Sequence, residues 1–145
     1  MYRSLMYVSR KSLLLVDVEA TIADIVRVSS DRNPAVDLTG ALASAGKYFI
    51  QYLEGPGLAL DTLMHSIEID KRHTDLIVLK EKVVLERILP NWSMAYCGSS
   101  SYVTRQIESV LFSPDLGDGV RVSRLRSLLV GLAKDQSPVD RAPRP

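Results

Sequence analysis

The sequence predicts an α+β domain: a ferredoxin-like βαββαββ sandwich, with two helices on one face of a mixed sheet, followed by a C-terminal helical extension. Three observations predict it. The apolar segments read in the order strand, helix, strand, strand, helix, strand, strand. Each of the two helical segments carries a single apolar stripe, which suits it to bury one side against a sheet. At 145 residues the chain fits one domain with an appendage, long enough to bury about two-thirds of its unfolded surface without staples.

"SLMYVS" (4–9) is a short apolar run before a basic turn and reads as the first strand. Asp17 is a good N-cap, and Val18, Ile22, Ile25, Val26 and Ser29 follow at steps of three and four, which predicts a helix. "RNP" is expected to stop it, because proline disfavours helical geometry in the residue before it. "DLTGALAS" and "KYFIQYLEG" read as two strands joined by a hairpin around Ala45 and Gly46, and "EGPG" then breaks the chain. Leu60, Leu63, Met64 and Ile67 form the apolar face of the second helix, which ends near "DKRH", where basic side chains suit the negative end of the helix dipole. "LIVLK" and "VVLERIL" read as a further strand pair turning at Glu81 and Lys82, with "PNWSMAYCGSS" leading out. Val103, Ile107, Val110 and Leu111 predict one more amphipathic helix, and Val122, Leu125, Leu128, Leu129 and Leu132 another. Residues 1–98 are thus expected to form the domain, 99–134 a helical extension and 135–145 a disordered tail, too poor in apolar residues to order itself.

Composition excludes several classes of function. Eighteen basic residues against seventeen acidic give a formal charge of +1, which supplies no attraction to nucleic acid or to an anionic membrane. Cys97 is the sole cysteine, so there is no disulfide framework, and two histidines without a companion thiolate make a poor metal site. The expected setting is reducing and cytoplasmic. "MYRSLMYVSR" lacks the apolar segment of a signal peptide, and no apolar run approaches the roughly 20 residues that span a bilayer.

Within "KYFIQYLEG", Gln51 shares one strand face with Phe49 and Leu53, while Tyr48, Ile50 and Tyr52 share the other. Both faces are apolar. A buried amide without partners would cost on the order of 1–3 kcal/mol, so either Gln51 faces solvent or other polar groups meet it inside. Tyr7 in the first strand, Asn33 at the end of the first helix and Trp92 near the last strand are the available partners. Taken singly, each has an ordinary structural role: a rim tyrosine, a helix terminator, a packing indole.

The set "LMYVSR", "RNPAVDLTGAL", "KYFIQYLEG", "IDKRH" and "PNWSMAY", in this order and spacing, resembles the BLUF domain, a flavin-binding blue-light sensor of the short, stand-alone type. The resemblance covers about residues 2 to 98. It implies that Tyr7 is the photoactive tyrosine, Gln51 the switching glutamine and Asn33 the asparagine that hydrogen-bonds the flavin ring. Trp92 and Met94 match the pair on the final strand, where alternation would point both to one face. Arg32 stands where the family often has a second asparagine, and Asp37 stands where glycine often precedes the I-T-G. Arg32 is carried over as a cofactor neighbour, and Arg72 and His73 match the family's basic pair, which a solvated, dipole-complementing cluster would explain equally well. Ile25 and Met64 are candidate walls of the flavin slot, with Val18, Ile22, Leu60 and Ile67. The implied cofactor is non-covalent FAD, with FMN or riboflavin as alternatives. No substrate is turned over. A sensor without an attached catalytic domain is expected to act through a downstream protein partner or its own assembly, as a homo-oligomer.

Two rival readings share the fold. An RRM-like RNA-binding module has the same element order, and "AGKYFIQY" keeps Gly46, Phe49, Ile50 and Tyr52 of its aromatic motif but lacks the leading basic residue. A non-flavin ferredoxin-like interaction domain is the other.

Overall fold

At the middle of a five-stranded sheet, β1 (Tyr2–Lys11) pairs antiparallel with β3 (Tyr48–Gly55). The computed structural model that contains them describes residues 1–13, 15–98 and 100–135. Between these strands lie α1 (Val18–Arg32), a 3-10 turn (Asn33–Val36) and β2 (Thr39–Ala45). After β3 come α2 (Gly57–Glu68), β4 (His73–Val84), β5 (Ala95–Tyr96), α3 (Ser101–Leu111) and α4 (Asp118–Lys134). The strand order is β4-β1-β3-β2-β5, antiparallel except for the β2–β5 pair, so the sheet is mixed as expected.

The strands are apolar on both faces because both faces are covered. Leu5, Tyr7, Leu42, Phe49 and Leu53 pack under α1 and α2 together with Ile22, Leu60 and Met64. Met6, Val8, Ala41, Ile50 and Tyr52 pack under α3 and α4 with Ile107, Leu125 and Leu129. The C-terminal helices are therefore a third layer rather than an appendage at the edge. Residues 136–145, most of the expected tail, lie outside the described residues.

Local chemistry accounts for the boundaries. Asp17 caps α1 by accepting from the Ala20 amide at 3.0 Å. "RNP" ends α1 at Arg32, but not for the expected reason: Asn33 keeps helical angles (φ −58, ψ −40), and Pro34 opens the 3-10 turn where no amide hydrogen is needed. The chain leaves that turn at Asp37, in the left-handed region at φ 61. Gly46 takes φ +56 in the β2–β3 hairpin, one residue later than expected. At Gly40 a side chain is excluded, since a Cβ there would lie 2.2 Å from the Tyr52 carbonyl oxygen.

The segment after α2 departs from expectation. "LIVLK" and "VVLERIL" do not form a hairpin; β4 runs straight through Glu81 and Lys82, pairing with β1 from His73 to Val84. Glu-Lys offers no turn chemistry, and β1 pairs along this length through register shifts between Met6 and Tyr7 and between Val8 and Arg10. Residues 85–94 then cross irregularly to the opposite edge of the sheet. The wholly buried Glu54 ties this crossing down. Its carboxylate accepts from the Ile88 and Leu89 amides, each at 2.8 Å, and from the Tyr52 hydroxyl at 2.8 Å. Leaving a buried amide hydrogen unsatisfied costs about 1–3 kcal/mol. Glu54→Ala is expected to lower unfolding stability by about 2–5 kcal/mol, with Glu54→Gln losing clearly less because one acceptor remains. Urea unfolding reads both, and an unchanged midpoint for Glu54→Ala would contradict the clasp.

Candidate functional site

Antiparallel pairing sets Tyr7 directly opposite Gln51, and Gln51 is opposite Leu42 on its other side. All three side chains look toward α1 and α2. Gln51 is 4% exposed and does have partners: its Oε1 accepts from the Tyr7 hydroxyl, and its Nε2 faces the Met94 sulfur at 3.5 Å. A thioether is a weak acceptor, so one end of the amide is well satisfied and the other barely so. Burial pushes the Tyr7 phenol well above its ordinary range, with the charge of Asp70 adding to the effect. The hydroxyl therefore stays protonated and donating.

A slot between the two helices and the sheet is lined by Tyr7, Phe49 and Gln51 from below, Ile25 and Ser29 from α1, and Leu63 from α2, among others. Of the expected wall residues, Ile25 and Ile67 line it. Met64 does not, nor do Val18, Ile22 and Leu60; Met64, Ile22 and Leu60 are packed into the core toward the sheet, and it is the flank of each stripe that faces the slot. Ser29 and Ser66 belong to that flank and were missed as wall residues. The signal available was a small hydroxyl residue within or beside each apolar stripe.

Asn33 is fully buried at the end of α1, and its Nδ2 donates to the Ser93 carbonyl at 2.7 Å. That bond fixes which way the amide points, because a carbonyl can only accept. Asn33 Oδ1 is left buried without a donor among the described residues. Asn33 is not itself on the slot surface, but its neighbour Arg32 is. The Ser93 backbone contact could not have been read from side-chain identities.

Arg72 and His73 both line the slot, as expected. Arg72 bridges Asp70 at 2.7 Å and Asp24 of α1 at 3.2 Å, tying the turn between α2 and β4 to α1 at the mouth. Desolvation pushes the Asp70 carboxyl up, but the bonds from Arg72 outweigh it and hold the carboxyl below its usual range. His73 spans from Ser9 (2.6 Å, through Nδ1) to the Ile67 carbonyl (2.6 Å, through Nε2), so Nε2 carries a proton. These bonds give His73 a positioning role beside Tyr7, whose ring centroid is 6.3 Å away.

Trp92 and Met94 do not share a face. Residues 92–94 precede β5 and form a bend, so strand alternation does not apply; Met94 enters the layer with Gln51, while Trp92 packs under α3 and α4. Its buried indole nitrogen has no partner among the described residues, and Trp92 does not line the slot.

An RNA-binding sheet needs exposed aromatics, yet Phe49 and Tyr52 are 3% and 2% exposed and lie on opposite, helix-covered faces. Among the described residues no His, Cys, Asp and Glu cluster could hold a metal ion, and no helix is long and apolar enough to cross a membrane.

The sequence profile of the family described as BLUF, sensors of blue-light using FAD, matches residues 2–95. The chain belongs to the BLUF family. It is 34% identical over 74 residues, half of the chain, to the photoactivated adenylate cyclase subunit beta of Euglena longa, but the match spans only 9% of that subunit. Among solved structures it is similar to the dark state of the BLUF protein BlrB, with a TM-score of 0.76, 32% identity, and 90% of this chain and 96% of that one covered. A bacterial light-regulated adenylyl cyclase is similar at a TM-score of 0.67 and 30% identity over 90% of this chain and 40% of that one. BLUF domains bind a flavin and use it to sense blue light, signalling to effector domains or partner proteins. The site fits that group: Asn33 Oδ1 needs a buried donor, Gln51 Nε2 a better acceptor, and an isoalloxazine edge carries both kinds of atom.

Asn33→Ala is expected to keep the fold and weaken flavin retention by roughly 5- to 150-fold, the equivalent of about 1–3 kcal/mol of lost hydrogen bonding. Titration of the apoprotein by flavin fluorescence measures it, and unchanged affinity would remove Asn33 from the site.

Proposed function

We propose that Gln51 is the switch of this BLUF domain, Tyr7 the electron and proton donor, Asn33 the anchor of the ring edge, and Met94 the first residue to receive the signal. The observation that carries this is the asymmetry around the Gln51 amide: the Tyr7 hydroxyl donates to one end, and a thioether, a weak acceptor, lies 3.5 Å away at the other. An amide turned by half a rotation has nearly the same shape with donor and acceptor exchanged. Two orientations therefore fit one buried site.

When bound, the flavin supplies the blue absorption and an excited state that accepts an electron. With the ring bound, Tyr7 would be the electron donor, and Gln51 would relay its phenolic proton, taking it at Oε1 and releasing one from Nε2 to the reduced ring. When the electron and proton return to Tyr7, the Gln51 amide is left rotated or tautomerised. So turned, Gln51 would offer the ring edge a different hydrogen bond, which would shift the bound flavin's absorption to the red until the amide returned thermally. Ile25 and Ile67 help exclude water from the exchange, and Arg72 ties the turn between α2 and β4 to α1 at the mouth.

Met94 is followed immediately by β5, which pairs with β2, and Cys97 Sγ lies 3.6 Å from the Leu129 carbonyl of α4. We therefore place the output path from Gln51 through Met94 and β5 to α4, with Trp92 responding on the far side of the sheet rather than at the pocket. In this reading residues 1–98 are the sensor and 99–134 the output element. The domain turns over no substrate, binds FAD in a cytoplasmic setting, and signals through a protein partner or its own assembly.

The purified protein is expected to carry a flavin and to show a small, reversible red shift under blue light. Tyr7→Phe and Gln51→Leu should bind flavin and lose the shift; a normal shift in Gln51→Leu would overturn the assignment. Met94→Ala should keep the shift but abolish the light-dependent change in hydrogen exchange of the α4 amides. Identical α4 protection in light and dark, in wild-type protein whose spectrum shifts, would place the output elsewhere.

A further inference from the structure

The outer edge of β4 is open, because this strand ends the sheet and has β1 on one side only. Its outward row of amides and carbonyls is a template for another strand. Ile77, Val83 and, just past the strand, Leu85 are 59%, 60% and 81% exposed. Register shifts interrupt β4 between Thr74 and Ile77 and between Val78 and Lys80, which makes those parts of the edge poor partners. Residues 80–84 pair without interruption with residues 2–6, so their outer edge is regular.

Charge is the second, independent observation. Lys80 and Lys82 of β4 and Arg126 of α4 line a cleft of about 340 Å³ between strand and helix, together with Leu79 and Val122. Arg3, Arg27, Arg72 and Arg87 each pair with a carboxylate. Among the described residues Lys80, Lys82 and Arg126 pair with none, and Asp118, the carboxylate that lines the same cleft, bonds to none of the three. Regular open backbone and unneutralised cations therefore lie side by side. A second copy of the chain is a poor occupant. Two-fold antiparallel pairing sets like faces together and, in registers centred on Lys80, Glu81 or Lys82, puts lysine opposite lysine.

We infer that the β4 edge beside α4 is a docking surface for an acidic, extended segment of a partner protein. The segment adds as a further strand along residues 80–84, with alternate carboxylates turned toward Lys80, Lys82 and Arg126. None of these residues lines the flavin slot, so the inference goes beyond the flavin reading and stands apart from it. A segment so placed touches α4 and, through β4, the strand that carries Tyr7, which lies opposite Val78.

A short fluorescent peptide of alternating Glu and Val, titrated against the full chain in the dark and followed by anisotropy, tests this. Wild-type protein is expected to bind it and to gain hydrogen-exchange protection at residues 80–84. Lys80→Glu combined with Lys82→Glu should weaken binding about 10-fold, leave the unfolding midpoint unchanged, and confer binding of the matching Lys–Val peptide. An N-methylated Glu–Val peptide keeps the charges but donates nothing to a sheet edge, and should bind about 10-fold more weakly. No binding to the wild-type protein, undiminished binding to the doubly substituted one, or protection confined to other segments would overturn the inference. Equal binding of the N-methylated peptide would overturn the added strand. Tighter binding of a single-stranded oligonucleotide than of the Glu–Val peptide would assign the cations to nucleic acid and overturn the protein partner.

Discussion

The β1–β3 register is the constraint on which the site depends. With Tyr7 paired to Gln51, two polar side chains face each other across neighbouring strands and satisfy one another inside an apolar layer. A slip of β3 by one residue would turn Gln51 to the opposite face, into the layer under α3 and α4 and away from Tyr7, and would bring Ile50 and Tyr52 to the slot. The alternation of apolar residues on both faces does little to prevent such a slip, since either face could be buried. Polar matching does prevent it. Glu54 opposes Ser4 in the same register, and its carboxylate meets the Tyr52 hydroxyl and the two amides of the crossing segment on the other face.

Much of this was legible in the sequence where one physical rule governed. The helices followed from apolar stripes and a capping aspartate, and the β2–β3 hairpin from a glycine between two apolar runs. The meeting of Tyr7 and Gln51 followed from motif spacing, whereas Asn33 lies off the slot surface, bonded to the Ser93 carbonyl. Legibility failed where tertiary pairing overrode local pattern. β4 reads as two strands because charged residues interrupt it, yet an edge strand tolerates Lys80, Glu81 and Lys82 facing outward. The separation of Trp92 from Met94 depends on an irregular segment held by Glu54, and no periodicity encodes that. The slot walls were partly misassigned for a related reason: a helical stripe names the residues that are buried, but not which of them a cavity will border.

Coverage of the second sheet face changes what the C-terminal helices are. Leu125, Leu129 and Ala133 recur every fourth residue and are completely buried, so α4 contributes to the same core that holds Ile50 and Tyr52 in place. A rearrangement around Gln51 and a displacement of α4 are then alternatives within one packed body. Because a close-packed interior transmits small shifts rather than absorbing them, a change at one amide can bias the position of a helix on the other side of the sheet.

Cys97 lies just beyond β5 with its Sγ 3.6 Å from the Leu129 carbonyl of α4, and burial pushes its thiol up to about 12. At neutral pH the protonated thiol therefore dominates at this position, whereas the thiolate is the nucleophile that attacks peroxides and disulfides. A protein built around a photoexcited flavin must function close to any oxidants its own cofactor generates. Keeping its sole sulfhydryl protonated and out of solvent insulates the light signal from the oxidation state of its surroundings, so that illumination and oxidative stress are not read through the same residue.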